Sequence, residues 1–157
     1  MRRFRAVALV VALLSGLVLS ATAAADRSTS SSQALVKTAY NKSLKATILV
    51  DGAGRTLYLF GSDPKNQSTC PTVDPTCPKI WPAYTTSGKP IAGKGVKAAL
   101  LGVTAKKQVT YNGHPLYHFA GASGYGAPDK RPGQTNGQGL FQLWYVVSPK
   151  GTPVLNK

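Results

Sequence analysis

The stretch Val50-Asp51-Gly52-Ala53-Gly54-Arg55-Thr56-Leu57-Tyr58-Leu59-Phe60 decides the reading of this chain. It returns 59 residues later as Val109-Thr110-Tyr111-Asn112-Gly113-His114-Pro115-Leu116-Tyr117-His118-Phe119. Val, Gly, Leu-Tyr and Phe keep their places, and Trp81 returns 63 residues later as Trp144. Offsets that differ by only four residues mark one duplicated unit with a small insertion. A unit of about 60 residues is marginal as an independent core, so the two copies are expected to pack as one pseudo-twofold domain.

Each copy reads as a β-hairpin followed by a long loop. In the first, Ala46 to Val50 and Thr56 to Phe60 flank the turn formers Asp51-Gly52-Ala53-Gly54, and Leu35 to Tyr40 ahead of them is also β-prone. In the second, Gln108 to Tyr111 and Pro115 to Phe119 flank Asn112-Gly113, the favoured pair for a type I′ turn. Alternation sets Leu57 and Leu59 opposite Tyr58 and Phe60, and Leu116 opposite Tyr117 and Phe119, so both faces of each strand need cover. The loops run from Gly61 to Lys79 and from Ala120 to Gly139. Phe141 to Val147 then reads as a strand, whereas Pro78 and Pro82 limit the segment around Trp81 to a helical turn or a short extended piece. Gly88 to Gly95 joins the copies, and no long amphipathic helix is visible. The expected fold class is all-β with short helical turns, built of two tandem hairpin-plus-loop repeats.

The amino terminus reads as an address. Arg2, Arg3 and Arg5 precede the apolar run Ala6 to Leu19, and the Ala-x-Ala series of residues 21–25 precedes Asp26, which is the order of a cleavable secretory signal peptide. The run is short for a membrane span, and no Cys follows it to carry a lipid. The expected organisation is a signal peptide over 1–25, a Ser/Thr-rich disordered spacer over 26–33, and a single β-rich domain over 34–157 with its copies at about 34–88 and 96–151. The mature protein is expected to be secreted, not lipid-anchored and without a transmembrane segment.

Nineteen Lys and Arg against five Asp, with no Glu, give a net charge of +14. Outside a cell that balance points to anionic partners, namely envelope polymers or lipid headgroups, and no feature selects a specific nucleic acid. Cys70 and Cys77 are the only cysteines, and in an oxidising compartment they are expected to form a disulfide across Pro71-Thr72-Val73-Asp74-Pro75-Thr76. Closing so short a loop stabilises by about 2.5 kcal/mol in the chain-entropy treatment.

Gly54 to Asp63, Trp81-Pro82, Gln108 to Tyr117 and Pro132-Gly133-Gln134-Thr135-Asn136-Gly137-Gln138-Gly139 resemble the bacterial secreted repeat family of unknown function, also described as predicted lipoproteins with a Tyr-x4-Asp motif. The likeness runs from about Val36 to Gly151. It implies an exported protein of tandem short repeats and brings no activity, substrate or cofactor. The motif falls on Tyr58 and Asp63. In the second copy Tyr117 matches, Ala122 stands where Asp is expected, and Asp129 follows an insertion over Ala122 to Pro128. Tyr58, Asp63, Tyr117 and Asp129 are therefore the candidate binding residues: an Asp after a strand-end Tyr can accept from the hydroxyl or from loop amides.

Catalytic constellations do not stand out. Without Glu, paired-carboxylate chemistry has few candidates, and no serine sits in a Gly-x-Ser-x-Gly setting. His114 and His118 on one strand would lie roughly 13 Å apart, too far for one metal. No cofactor is expected. The leading function is an exported non-catalytic binding or envelope-associated module with a basic surface, and the alternative is a metal- or cofactor-binding enzyme or redox accessory protein of the envelope. Intact-mass measurement of the exported protein should give a chain starting at or near Asp26 with no lipid adduct; Met1 retained, or an added diacylglycerol, would refute this.

Overall fold

The computed structural model describes residues 32–155. The expected signal peptide and residues 26–31 of the expected spacer lie outside the described residues. Strand β1 (Leu35–Asn41) turns at residues 42–45 and returns antiparallel as β2 (Ala46–Asp51), with Val36 opposite Asp51. Strand β3 (Tyr58–Phe60) follows, then two four-residue helical turns, α1 (Cys70–Val73) and α2 (Cys77–Ile80). The joint between the copies contributes β4 (Ile91–Ala92), which lies parallel to β1. Strands β5 (Leu101–Val103), β6 (Val109–Tyr111) and β7 (His114–Pro115) form an antiparallel sheet in that order, and β8 (Trp144–Val146) pairs antiparallel with β3. The all-β expectation holds.

Backbone pairing crosses between the copies. Tyr58 and Tyr117 exchange both of their backbone hydrogen bonds, each N–H donating to the other's carbonyl at 2.9 Å. On its far side Tyr58 pairs with Val146 of the second copy, and on its far side Tyr117 pairs with Ala83 of the first. The bonds from Gly61 N to Leu143 O and from Ala120 N to Ile80 O, at 2.7 and 2.8 Å, extend the same exchange by one step on each side. Each Tyr-bearing segment thus lies between the other Tyr segment and the Trp-bearing segment of the opposite copy.

Alternation along these segments feeds two separate cores. Tyr58, Phe60, Tyr117 and Phe119 join Trp81 and Trp144 on one side, while Leu57, Leu59 and Leu116 join Val109, Tyr111 and Leu49 on the other. The tryptophans stack with ring centroids 3.9 Å apart and planes 1° from parallel. Around them, Phe60 packs on Trp144 at 4.5 Å and Phe119 on Trp81 at 4.6 Å, and Tyr58 and Tyr117 meet Trp81 and Trp144 edge-on at 5.3 and 5.1 Å.

Three details differ from the reading of the sequence. Leu49, not Val50, is the counterpart of Val109: Leu57 N donates to Leu49 O where Leu116 N donates to Val109 O, and Leu49 N to Val147 O where Val109 N donates to Tyr84 O. The cause is the first turn, closed by Asp51 N to Arg55 O, which is one residue longer than the Asn112-Gly113 turn between Tyr111 and His114. Asn112 and Gly113 take φ of 52° and 84°, as a type I′ turn requires. The expected strand from Pro115 to Phe119 is ladder-paired to β6 only at His114–Pro115, with one further bond from Leu116 N to Val109 O, because at Tyr117 the chain turns to Tyr58 and Ala83 for partners. The expected strand from Phe141 begins instead at Trp144: residues 140–142 form a 3₁₀ turn in which Phe141 and Gln142 have φ of 54° and 58°.

The stack concentrates large ring areas at one spot, so truncating it removes transfer energy and leaves a cavity. Trp144→Ala should lower the stability read from urea unfolding by about 3 to 5 kcal/mol; a loss under about 1 kcal/mol would show that the pair is peripheral to the core.

Candidate functional site

The four candidate residues form two pairs, and each pair joins one copy to the other. Tyr58 Oη donates to Asp129 Oδ2 at 2.5 Å, and Tyr117 Oη donates to Asp63 Oδ2 at 2.6 Å. Within a copy, Tyr58 makes no such bond to Asp63, although the motif spaces them five residues apart. The opposite oxygen of each carboxylate holds the loop that follows it: Asp63 Oδ1 accepts from the Thr69 amide at 2.7 Å and hydroxyl at 2.8 Å, and Asp129 Oδ1 accepts from the Asn136 amide at 3.0 Å. Asp129 therefore occupies the place in the second copy that Asp63 occupies in the first, despite the insertion over 122–128. Gly137 N donates to Tyr58 Oη at 3.3 Å, and Ser68 Oγ lies 2.8 Å from Tyr117 Oη.

Burial fixes the protonation of these groups. Desolvation, followed by the charge of Asp129, drives the Tyr58 phenol far above its ordinary range, and desolvation with the Asp63 bond does the same for Tyr117. Both hydroxyls are donors at any physiological pH. Desolvation also raises the Asp129 carboxyl, against the lowering effect of its bonds from Tyr58 and Asn136. Tyr58 is fully buried, Asp129 borders a cleft of about 560 Å³, and Tyr117 borders a smaller pocket of about 130 Å³ with Ser68. The pairs do not line one common pocket.

The loop held by Asp129 is docked on the first hairpin. Asn41 Nδ2 donates to Gly133 O at 3.0 Å, and Thr56 Oγ1 donates to Gln134 O at 2.6 Å. Gly133 and Pro132 thereby form one wall of a cleft of about 650 Å³ whose other lining includes Lys37, Lys42 and Lys94 and no acidic residue. Lys37 Nζ donates to Gly52 O at 2.9 Å.

A third cluster escaped the reading of the sequence. Asp51, 3% exposed, accepts from the Arg55 amide and Nε at 2.8 Å each, forms an ion pair with Arg55 Nη2 at 2.8 Å, and lies 3.1 Å from His118 Nε2. Desolvation raises the Asp51 carboxyl, but the bonds from His118 and Arg55 outweigh it and hold the group at about 2. The available signal was the copy comparison: His118 stands where the first copy has Leu59. No group of three or more His, Cys, Asp or Glu that could hold a metal occurs among the described residues.

Cys70 and Cys77 form the expected disulfide, with Cα atoms 5.5 Å apart, and it ties α1 to α2. Residues 105–148 match the family described as a secreted repeat of unknown function. The secreted-repeat resemblance thus holds over the second copy, from just before β6 through β8. That family is described as secreted, and a disulfide fits an extracytoplasmic setting. No curated protein and no solved structure matches the chain. Among the described residues no helix is long and apolar enough to cross a membrane.

Asp51 sets an acid limb of stability. Its carboxyl lies lower in the folded chain, at about 2, than its ordinary 3.8, so its stabilising contribution is complete above about pH 4 and is lost as pH falls toward 2. Asp129 is shifted the other way, so protonation favours the fold there and its slope has the opposite sign. Asp51→Asn should flatten the loss of melting temperature between about pH 4 and pH 2; an unchanged acid limb would show that the Arg55 and His118 contacts add nothing.

Proposed function

We propose that this chain is an exported, non-catalytic module that attaches to anionic polymers of the cell envelope through the lysine cleft beside β1 and β2. The observation that carries this reading is the cleft itself: about 650 Å³, with Lys37, Lys42 and Lys94 in its lining and no carboxylate among its lining residues. Lys42 and Lys94 are exposed, and an unpaired ammonium on a concave wall attracts a polyanion over about 8 to 10 Å at physiological salt. The net charge of +14 adds a long-range attraction of the same sign.

In this reading Tyr58 and Asp129 act on binding through position. Their bond fixes the loop over 129–137, and that loop supplies the Pro132 and Gly133 wall of the cleft. Tyr117 and Asp63 fix the corresponding loop of the first copy. The two copies, about 34–88 and 96–151, are proposed to be halves of a single pseudo-twofold domain. The paired exchange of Tyr58 with Tyr117, and the stacking of Trp81 on Trp144, support this. Export by a cleaved signal peptide, without a lipid, completes the proposal; the family description and the disulfide support the exported setting.

The test is retention of the purified mature protein on isolated envelope fragments across a salt series. Retention should fall steeply with salt, and Lys42→Glu combined with Lys94→Glu should weaken it about tenfold at physiological ionic strength with the melting temperature unchanged. Retention indifferent to both salt and the double substitution would overturn the reading.

A further inference from the structure

Strand β1 has an open edge, and that edge borders the lysine cleft. Leu49 N donates to Val147 O at 2.8 Å and Leu49 O accepts from Leu57 N at 3.1 Å, so β1 and β2 exchange no bonds at the Thr38–Leu49 pair. Bonded and non-bonded pairs alternate in an antiparallel ladder, so none are exchanged at Tyr40–Thr47 either. The main-chain groups of Thr38 and Tyr40 therefore point away from β2. Strand β4 covers this outer edge only in part: Gly93 N donates to Val36 O at 2.7 Å, Thr38 N donates to Lys94 O at 3.0 Å, and the chain then leaves. Past that point the Thr38 carbonyl and the Tyr40 amide and carbonyl have no backbone partner among the described residues.

The local structure holds this edge open. The departing chain turns at Gly95 with φ of 78°, and a Cβ there would collide with the Thr38 side chain, so the turn depends on glycine. Thr38 Oγ1 fastens the same place by donating to Lys94 O at 3.1 Å. Tyr40 is 65% exposed and Ala39 is exposed, which leaves the edge to solvent. Pairing puts Lys37, Ala39 and Asn41 of β1 on one sheet face with Ile48 and Val50 of β2, and all five line the cleft. Thr38, Tyr40 and Lys94 belong to the same lining, so the open edge and the sheet face border one cavity of about 650 Å³.

We infer that the occupant of the lysine cleft is an extended acidic polypeptide segment, added to β1 as a further strand beyond Lys94. The inference rests on the cleft being the binding site, as proposed above, and names what it binds. The edge presents two acceptors and one donor at strand spacing, and an extended polypeptide carries the matching amides and carbonyl. A chain of phosphates or carboxylates alone would bring acceptors against the two carbonyls and has no N–H to give them. Charge selects an acidic segment. Lys94 stands beside Thr38, and Lys42 lies four positions beyond Thr38, roughly 13 Å in extended chain, so carboxylates on alternate residues of an added strand match both. The same lysines disfavour a second copy of this edge, since self-pairing would bring like charges together.

The probe is an acetylated and amidated peptide of alternating glutamate and valine, seven residues long, titrated into the mature protein by calorimetry. A second peptide of the same sequence is N-methylated at its three central residues, which keeps the charge and removes the central strand donors. The unmodified peptide should bind saturably and at least about tenfold more tightly than the methylated one. In its presence, exchange of the Tyr40 amide hydrogen should slow at least about tenfold. Tyr40→Pro deletes that amide on an edge that tolerates proline, and should weaken the peptide about tenfold while leaving binding of inorganic polyphosphate unchanged. Lys42→Glu/Lys94→Glu should weaken both. Equal affinity for the two peptides, Tyr40 exchange indifferent to the peptide, or no saturation by about 10 mM would overturn the inference. If the inference fails in this way while the double substitution still weakens retention on envelope fragments, the lysine cleft stands and only its polypeptide occupant falls. If neither retention nor peptide binding responds to the double substitution, both readings fall.

Discussion

Tyr58 and Tyr117 hold the molecule together twice over. Their main chains pair with each other, and their hydroxyls reach past each other to the carboxylates of the opposite copy. Each hydroxyl is buried, so leaving it unpaired would cost about 1 to 3 kcal/mol. Each carboxylate in turn accepts from an amide further along its own loop, Thr69 for Asp63 and Asn136 for Asp129. A short stretch of backbone thereby pins two loops of about twenty residues each partway along their length, and the second loop supplies the Pro132 and Gly133 wall of a cleft. The aromatic stack adds the apolar part of the same junction, since Trp81 and Trp144 come from opposite copies and meet face to face.

Much of this was legible because duplication is visible in letters. The repeated Leu-Tyr-x-Phe pattern gave the strand phase, and its alternation is what divides Leu57 from Tyr58 between two cores. The type I′ turn and the disulfide followed from local chemistry alone, Asn112-Gly113 in one case and two cysteines across a proline-rich loop in the other. The exchange of partners was not legible, since a motif spaced five residues apart suggests a bond within the copy, and only the tertiary arrangement reveals that the hydroxyl points to the other loop. Val50 looked like Val109 because the letters agree, while the longer turn at Asp51 shifts the true match to Leu49. Phe141 looked like a strand residue by alternation, but positive φ at two non-glycine positions cannot be read from residue type.

The copies are unequal where polar chemistry enters. Asp51, Arg55 and His118 form a buried and half-buried polar cluster, whereas Leu59 fills the first-copy position that His118 takes in the second. The disulfide-bonded turns belong to the first copy, and the insertion over 122–128 to the second. The common parts are those at the junction between the copies, and the differences lie along the clefts. That division is what would be expected if the junction sustains the fold and the edges have been free to acquire separate clefts, one with three lysines among its lining residues and one lined by aromatic rings.

The crossed tyrosine–aspartate bonds have an evolutionary consequence. A bond that a residue in one copy makes to the other, returned by its counterpart, is the contact set of an isologous homodimer. An ancestor encoding one copy could have formed every such bond with a second molecule of itself, at the mercy of concentration. Fusion of the two genes would have replaced that bimolecular encounter with an intramolecular one. It would also have released each half from having to match itself, so that a histidine, a disulfide or a seven-residue insertion could arise on one side alone.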